Sequence, residues 1–128
     1  MNNHTKKPCI LLVDDRGENR YVLSRILQNA GFSIQQCATG MQGLEMVRTL
    51  PDAVILDVKL PDVSGYDVCR AIKTDPLTKR VPVLLISATF VPGQPPPEMA
   101  SIGAEGYLAP PFLSSEIVEK VRRLLESK

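Results

Sequence analysis

Two short apolar runs in this chain stop at aspartates. Cys9-Ile10-Leu11-Leu12-Val13 ends at Asp14-Asp15, and Ala53-Val54-Ile55-Leu56 ends at Asp57. A third run, Val83-Leu84-Leu85-Ile86, ends at the hydroxyl of Ser87. Carboxylates gathered in one place repel one another and persist as anions when a cation sits among them. Hard oxygen ligands suit Mg2+ or Mn2+, with water and substrate oxygens completing the shell. The same cation offsets the charge of an incoming phosphoryl group. The set therefore has the parts for in-line transfer onto a carboxylate nucleophile, Asp57. Ser87 and the backbone N–H of Ala88 are the hydrogen-bond donors expected for a phosphoryl oxygen.

Each piece taken alone has an ordinary reading. An aspartate after a strand is commonly a turn former or helix cap, and Asp14-Asp15 could cap a helix near Gly17. A lone loop serine is usually a plain hydroxyl. The functional reading rests on the combination: acids after the first and third strands, a hydroxyl after the fourth and Tyr107 in the fifth, all expected at one sheet edge.

The elements that would bring them together are legible as a change of period. The apolar runs are those of strands buried on both faces. After the first, Val22, Leu23, Ile26, Leu27 and Ala30 recur on one face of a helix that starts near Glu18 and stops at Gly31. Phe32 to Cys37 reads as a weaker strand. Thr39-Gly40 opens a helix with Leu44, Val47 and Leu50 inward, closed by Pro51. A third helix spans about Tyr66 to Lys73, and Asp75-Pro76 breaks it. Glu105 to Leu108 is a short fifth strand. Ser114 caps a last helix carrying Ile117, Val118, Val121, Leu124 and Leu125 at helical spacing. Strands alternating with helices predict an α/β fold, a doubly wound parallel sheet of (βα)5 type covered on both faces. Ligands bind such sheets at the carboxyl ends of the strands, and the order 2-1-3-4-5 makes strands 1 and 3 neighbours. Phe90 to Pro97 interrupts the rhythm with four prolines and a glycine. It predicts a long, stiff loop and a short fourth helix, roughly Pro97 to Ile102.

The bulk properties fit one domain over residues 8–128, preceded by a disordered tail over 1–7. The 128 residues are 44% hydrophobic and carry 15 basic against 14 acidic side chains, a net charge of +1. No charge excess points to direct contact with nucleic acid or an anionic membrane. No apolar run approaches the length of a membrane span, and Met1 to Lys7 lacks the apolar core of a signal peptide. Cys9, Cys37 and Cys69 are an odd count without CxxC spacing. They read as buried free thiols in a reducing cytoplasm, not as disulfide or zinc ligands.

Taken in order, these motifs resemble the receiver domain of two-component response regulators, from about Pro8 to Leu125. The resemblance is carried by Ile10 to Asp15, by Val54 to Gly65, by Ser87-Ala88, and by Gly103 to Leu108 followed by Pro111-Phe112. It implies a flavodoxin-like fold and phosphoryl transfer onto Asp57 from a phosphohistidine of a sensor histidine kinase or histidine phosphotransfer domain, with no turnover of an external metabolite. It assigns the metal to Asp14, Asp15, Asp57 and the backbone carbonyl of Lys59. Ser87 takes the place of the switch hydroxyl and Tyr107 that of the switch aromatic. A homodimer is a further partner the family allows. The sequence SATF at Ser87–Phe90 is also similar to receivers joined to hybrid kinases.

Two departures stand out. The family usually has a lysine before the proline that follows strand 5, and here Pro110 occupies that position. Proline supplies neither charge nor N–H. Losing a charge-assisted contact of about 1.5–3 kcal/mol weakens phosphoryl binding or the switch. Lys59 and Arg16 are the candidate substitute cations, although both also read as solvated rim charges. The proline-rich loop is the second departure and implies a damped switch after strand 4. The resemblance also implies a cis bond before Pro111. A competing expectation is an atypical receiver that acts as a phosphorylation-independent interaction module. An aspartate-nucleophile phosphatase would need an acid where Lys59 stands. A flavodoxin would need a hydroxyl-rich loop where Asp14-Asp15-Arg16 stands.

Overall fold

The computed structural model describes residues 6–91, 93–94 and 97–126. The expected tail over 1–7 therefore falls mostly outside the described residues, and Lys6 and Lys7 are exposed. Pro92, Pro95 and Pro96 of the proline-rich loop also lie outside them.

Strands β1 (Cys9–Val13), β2 (Ser33–Cys37), β3 (Ala53–Asp57), β4 (Val83–Ile86) and β5 (Gly106–Leu108) form one parallel sheet in the order β2-β1-β3-β4-β5. The intervening helices are α1 (Gly17–Asn29), α2 (Gly40–Met46), α3 (Gly65–Thr74), α4 (Glu98–Ile102) and α5 (Ser114–Glu126). Alternation along the strands divides the core in two. Leu11, Val13, Val54, Leu56, Val83 and Leu85 pack with Val68, Cys69 and Ile72 of α3. Ile10, Leu12, Ala53, Ile55 and Leu84 pack on the other side with Leu23 and Leu27 of α1 and with Ile117, Val121 and Leu124 of α5. Strand residues are apolar at both parities because both faces are covered, which is why the runs are continuous.

Local signals hold the helix ends. Thr39 accepts from the N–H of Gln42, and Ser64 from that of Tyr66, so both act as N-caps. Gly31, at φ +101°, follows Ala30, the C-cap of α1, in the left-handed region that glycine tolerates.

Four details differ from the expected pattern. Val22 is 54% exposed and Ser24 is buried in its stead, so the inward face of α1 is rotated by part of a turn. Leu50 is half exposed: α2 tightens into a 3-10 turn over Val47–Thr49, and Leu50 then leaves it at φ 61°. Ser114 is the first residue of α5 and not its cap. The start of that helix is closed by Glu116, whose carboxylate accepts from the Leu113 N–H at 2.7 Å. Cys9 is only partly buried, whereas Cys37 and Cys69 are buried, and all three are free thiols. Burial pushes the Cys69 thiol up to about 12. No helix among the described residues is long and apolar enough to cross a membrane.

Candidate functional site

Register brings the acids together. Val13 of β1 pairs with Leu56 of β3, so Asp14 and Asp57 are the next residues along two adjacent parallel strands. Asp57 has the parity of Ala53 and Ile55 and so turns toward the side covered by α1 and α5, where Asp14-Asp15 leads into α1. One carboxylate oxygen from each of Asp14, Asp15 and Asp57 lies within 4.8 Å of the others. About forty residues of sequence separate the first two from the third, and the fold removes that separation.

Each acid is held differently. Asp14 is 8% exposed. Its Oδ1 accepts from the Arg16 N–H at 2.8 Å and its Oδ2 from Asn19 Nδ2 at 3.5 Å. Its carbonyl accepts from Arg20 Nη1. Asp15 is exposed at the mouth. Asp57 is half-buried, and its Oδ1 accepts from the Lys59 N–H at 3.1 Å. Burial raises the Asp57 carboxyl above the usual aspartate range. The Lys59 N–H opposes this, the charges of Asp14 and Asp15 add to it, and Arg16 pulls the other way. A carboxylate destabilised by burial and by its neighbours gains from a bound cation. The hard-oxygen donor set therefore fits a small divalent metal.

The loop after Asp57 turns back on the strand. The Gly65 N–H donates to the Val58 carbonyl at 2.8 Å. A Cβ at Gly65 would sit 2.3 Å from the Asp57 carbonyl oxygen, so no other residue lets α3 start this close to the acid. Asp62 in the same loop reaches across to α2, accepting from the N–H groups of Gly40 and Met41 at 2.8 and 2.9 Å. Those two contacts hold its carboxyl below the usual range.

A cleft of about 250 Å³ opens over the acids. Arg16, Lys59, Ser87, Ala88 and Pro110 all line it with the three aspartates. The bond between Pro110 and Pro111 is cis. Ser87 is buried, and its Oγ lies 2.8 Å from the hydroxyl of Thr89 and accepts from the Thr89 N–H at 3.2 Å. Tyr107 is the one predicted site residue outside the cleft's lining. It pairs with Leu85, packs on the α2–α4 side and meets Phe90 edge-on at 5.7 Å between ring centroids. Lys120 Nζ stands 5.8 Å from its ring centroid. The convergence expected of Tyr107 is thus with Phe90 and α5, and not with the acids. A larger hollow, 510 Å³, lies at the opposite end of the sheet around Cys9, Ser33 and Asp52. It lacks the convergent carboxylates that mark the smaller cleft.

Sequence reasoning missed Asn19, Arg20 and Thr89. The first two sit five and six residues after Asp14, a spacing that only the start of a helix turns into contact. Thr89 stands two residues after Ser87, within reach of a serine–threonine turn.

The family profile described as "Response regulator receiver domain" matches residues 10–122. The chain is 36% identical over 121 residues to the DNA-binding dual master transcriptional regulator RpaA of Synechocystis sp., covering 92% of this chain and 49% of that protein. It thus spans about half the length of the curated relatives it matches. Among solved structures, the chemotaxis response regulator CheY4 of Vibrio cholerae superposes with a TM-score of 0.85 at 27% identity, covering 94% of this chain and all (100%) of that one. The receiver domain of the sensor histidine kinase PA1611 from Pseudomonas aeruginosa PAO1 has a TM-score of 0.83 at 27% identity, covering 94% and 98%. In that structure a magnesium ion is coordinated in the active-site cleft.

Proposed function

The chain belongs to the response regulator receiver domain family of two-component signal transduction, and from that premise we propose that it accepts a phosphoryl group onto Asp57 from a phosphohistidine of a sensor kinase or phosphotransfer domain. The observation that carries the reading is the meeting of Asp14, Asp15 and Asp57 within 4.8 Å. In the transfer, an Asp57 carboxylate oxygen forms a bond to phosphorus as the bond from phosphorus to the imidazole nitrogen breaks. The electron pair of that bond leaves with the imidazole. Asp14, Asp15, Asp57 and the Lys59 carbonyl are the residues that would hold Mg2+. When bound, the ion offsets negative charge on the transferring oxygens.

The chain's own groups supply the rest. The Lys59 N–H orients Asp57. The backbone N–H of Arg16 and the side-chain amide of Asn19 fix the Asp14 carboxylate for the metal. Ser87 and the Ala88 N–H would receive phosphoryl oxygens at the far wall, and the Ser87–Thr89 contact must loosen for the Ser87 hydroxyl to turn inward. The reaction is self-modification, so the chain acts as a signalling partner and not as an enzyme with metabolite turnover. Free Cys9, Cys37 and Cys69 are in keeping with a cytoplasmic setting. The DNA binding named for the relatives belongs to proteins about twice the matched length, and no direct nucleic-acid contact is assigned to this chain.

Pro110 favours a second reading, a receiver that signals by docking without phosphate, because it lines the cleft without charge or N–H. One experiment separates the two. Incubation with acetyl phosphate and Mg2+ is expected to add one phosphoryl mass to the wild-type chain and none to Asp57→Asn. An unmodified wild type under those conditions rejects the first reading.

A further inference from the structure

A phosphoryl group on Asp57 would carry a charge of about −1.5 to −2 into a cleft that already holds Asp14 and Asp15. A divalent ion offsets only part of that total, so a protein cation is needed on the open side. Among the described residues, Arg16 and Lys59 are the basic residues that line the cleft. Arg20, the next candidate along α1, is committed to the Asp14 carbonyl.

The two cleft cations are not equivalent. Arg16 directly follows the two metal-site acids, and its N–H is tied to Asp14 Oδ1 at 2.8 Å. Its backbone is therefore fixed at the rim. Its side chain makes no capping contact with α1, and its guanidinium is in no ion pair among the described residues. Lys59 likewise meets its acid, Asp57, through its backbone N–H, is exposed like Arg16 and is in no ion pair among the described residues, so the two differ in the chemistry of the cation they carry. A guanidinium presents a planar fork of donors that matches two phosphoryl oxygens, whereas an ammonium acts as a point charge.

We propose that Arg16 is the phosphoryl-binding cation of this cleft, its guanidinium engaging the oxygens of a group on Asp57 opposite the neutral wall formed by Pro110. The proposal rests on the phosphoacceptor reading of Asp57.

The test is a fluorine-19 NMR titration of the full chain with beryllofluoride in Mg2+, paired with Mg2+ binding measured alone. Arg16→Gln is expected to weaken beryllofluoride binding at least about tenfold, the size of one charge-assisted contact. Arg16→Lys should recover part of that loss. Arg25→Gln makes the same charge change further along α1, away from the cleft, and should bind like wild type. Mg2+ binding to Arg16→Gln in the absence of beryllofluoride should be as tight as wild type or tighter, because a repelling charge is gone. Beryllofluoride binding by Arg16→Gln within about twofold of wild type overturns the proposal. So does a larger loss in Lys59→Gln than in Arg16→Gln, or a parallel loss of Mg2+ binding. A wild type that binds no beryllofluoride, or an Asp57→Asn that binds as well as wild type, rejects the phosphoacceptor reading itself and the proposal with it.

Discussion

Asp57 sits in a place that suits its neutral form. Burial, and then the charges of Asp14 and Asp15, hold its carboxyl above the usual aspartate range. The folded chain therefore binds this proton more tightly than the unfolded chain does. That contribution to stability is fully present in acid and is lost as pH rises through the raised folded value. At neutral pH without metal the buried charge is a cost, and an amide of the same shape avoids it. Asp57→Asn is thus expected to melt higher than wild type at neutral pH in a chelator. The difference should close as pH falls below the ordinary aspartate range, which thermal melts across pH would read. A variant that melts lower at neutral pH would contradict this account. At this scale the sequence showed which acids matter, because each ends an apolar run. It did not show Asn19 and Arg20 against Asp14, since those contacts depend on where α1 begins to wind.

The loop between β3 and α3 has two tasks: it returns to the back of Asp57 through Gly65, and it caps α2 through Asp62. The cap is a charge on two helix N–H groups, and those contacts lower the Asp62 carboxyl. Its stabilisation is present above the ordinary aspartate range and disappears as pH falls through the lowered folded value. Asp62→Ala should therefore lower the melting temperature at neutral pH and converge with wild type in acid. Equal melting at pH 7 would show that the cap contributes nothing. The loop after β4 behaves as an anchored element: Phe90 is buried against Tyr107, and Val91 pairs with Gln94. Adding beryllofluoride and Mg2+ is expected to change amide exchange little across 88–104, and a large change there would count against damping. Strands were legible because burial on both faces leaves continuous apolar runs. Helix faces were less so. Val22 and Leu50 are apolar at helical spacing, yet one lies at the edge of its face and the other beyond a 3-10 turn. Periodicity cannot see either event. Asp62 escaped notice because its partners are 21 and 22 residues away.

For the whole molecule, the acid cleft couples ligand to fold. A cation that binds the folded cluster and not the unfolded chain stabilises by mass action, about 2.7 kcal/mol at a hundred times its dissociation constant. Mg2+ should raise the melting temperature of wild type, and Asp14→Ala should lose most of that rise. A rise retained in full would place the ion elsewhere. The topology itself was readable from alternating strands and helices, and the common order of such sheets, 2-1-3-4-5, is the one the chain adopts and the one that brings the acids together. The parallel sheet has a further consequence. Every strand points its carboxyl end at the cleft, and the first and last described segments lie at the other pole: the Pro8 carbonyl accepts from the Ser33 N–H at the start of β2, and Leu124 packs beside Gly106 at the start of β5. A surface tether or dye attached at Lys7 or Glu126 would leave the acids facing solution, so the molecule can be immobilised from either side as a sensor for phosphoryl donors without masking the acceptor.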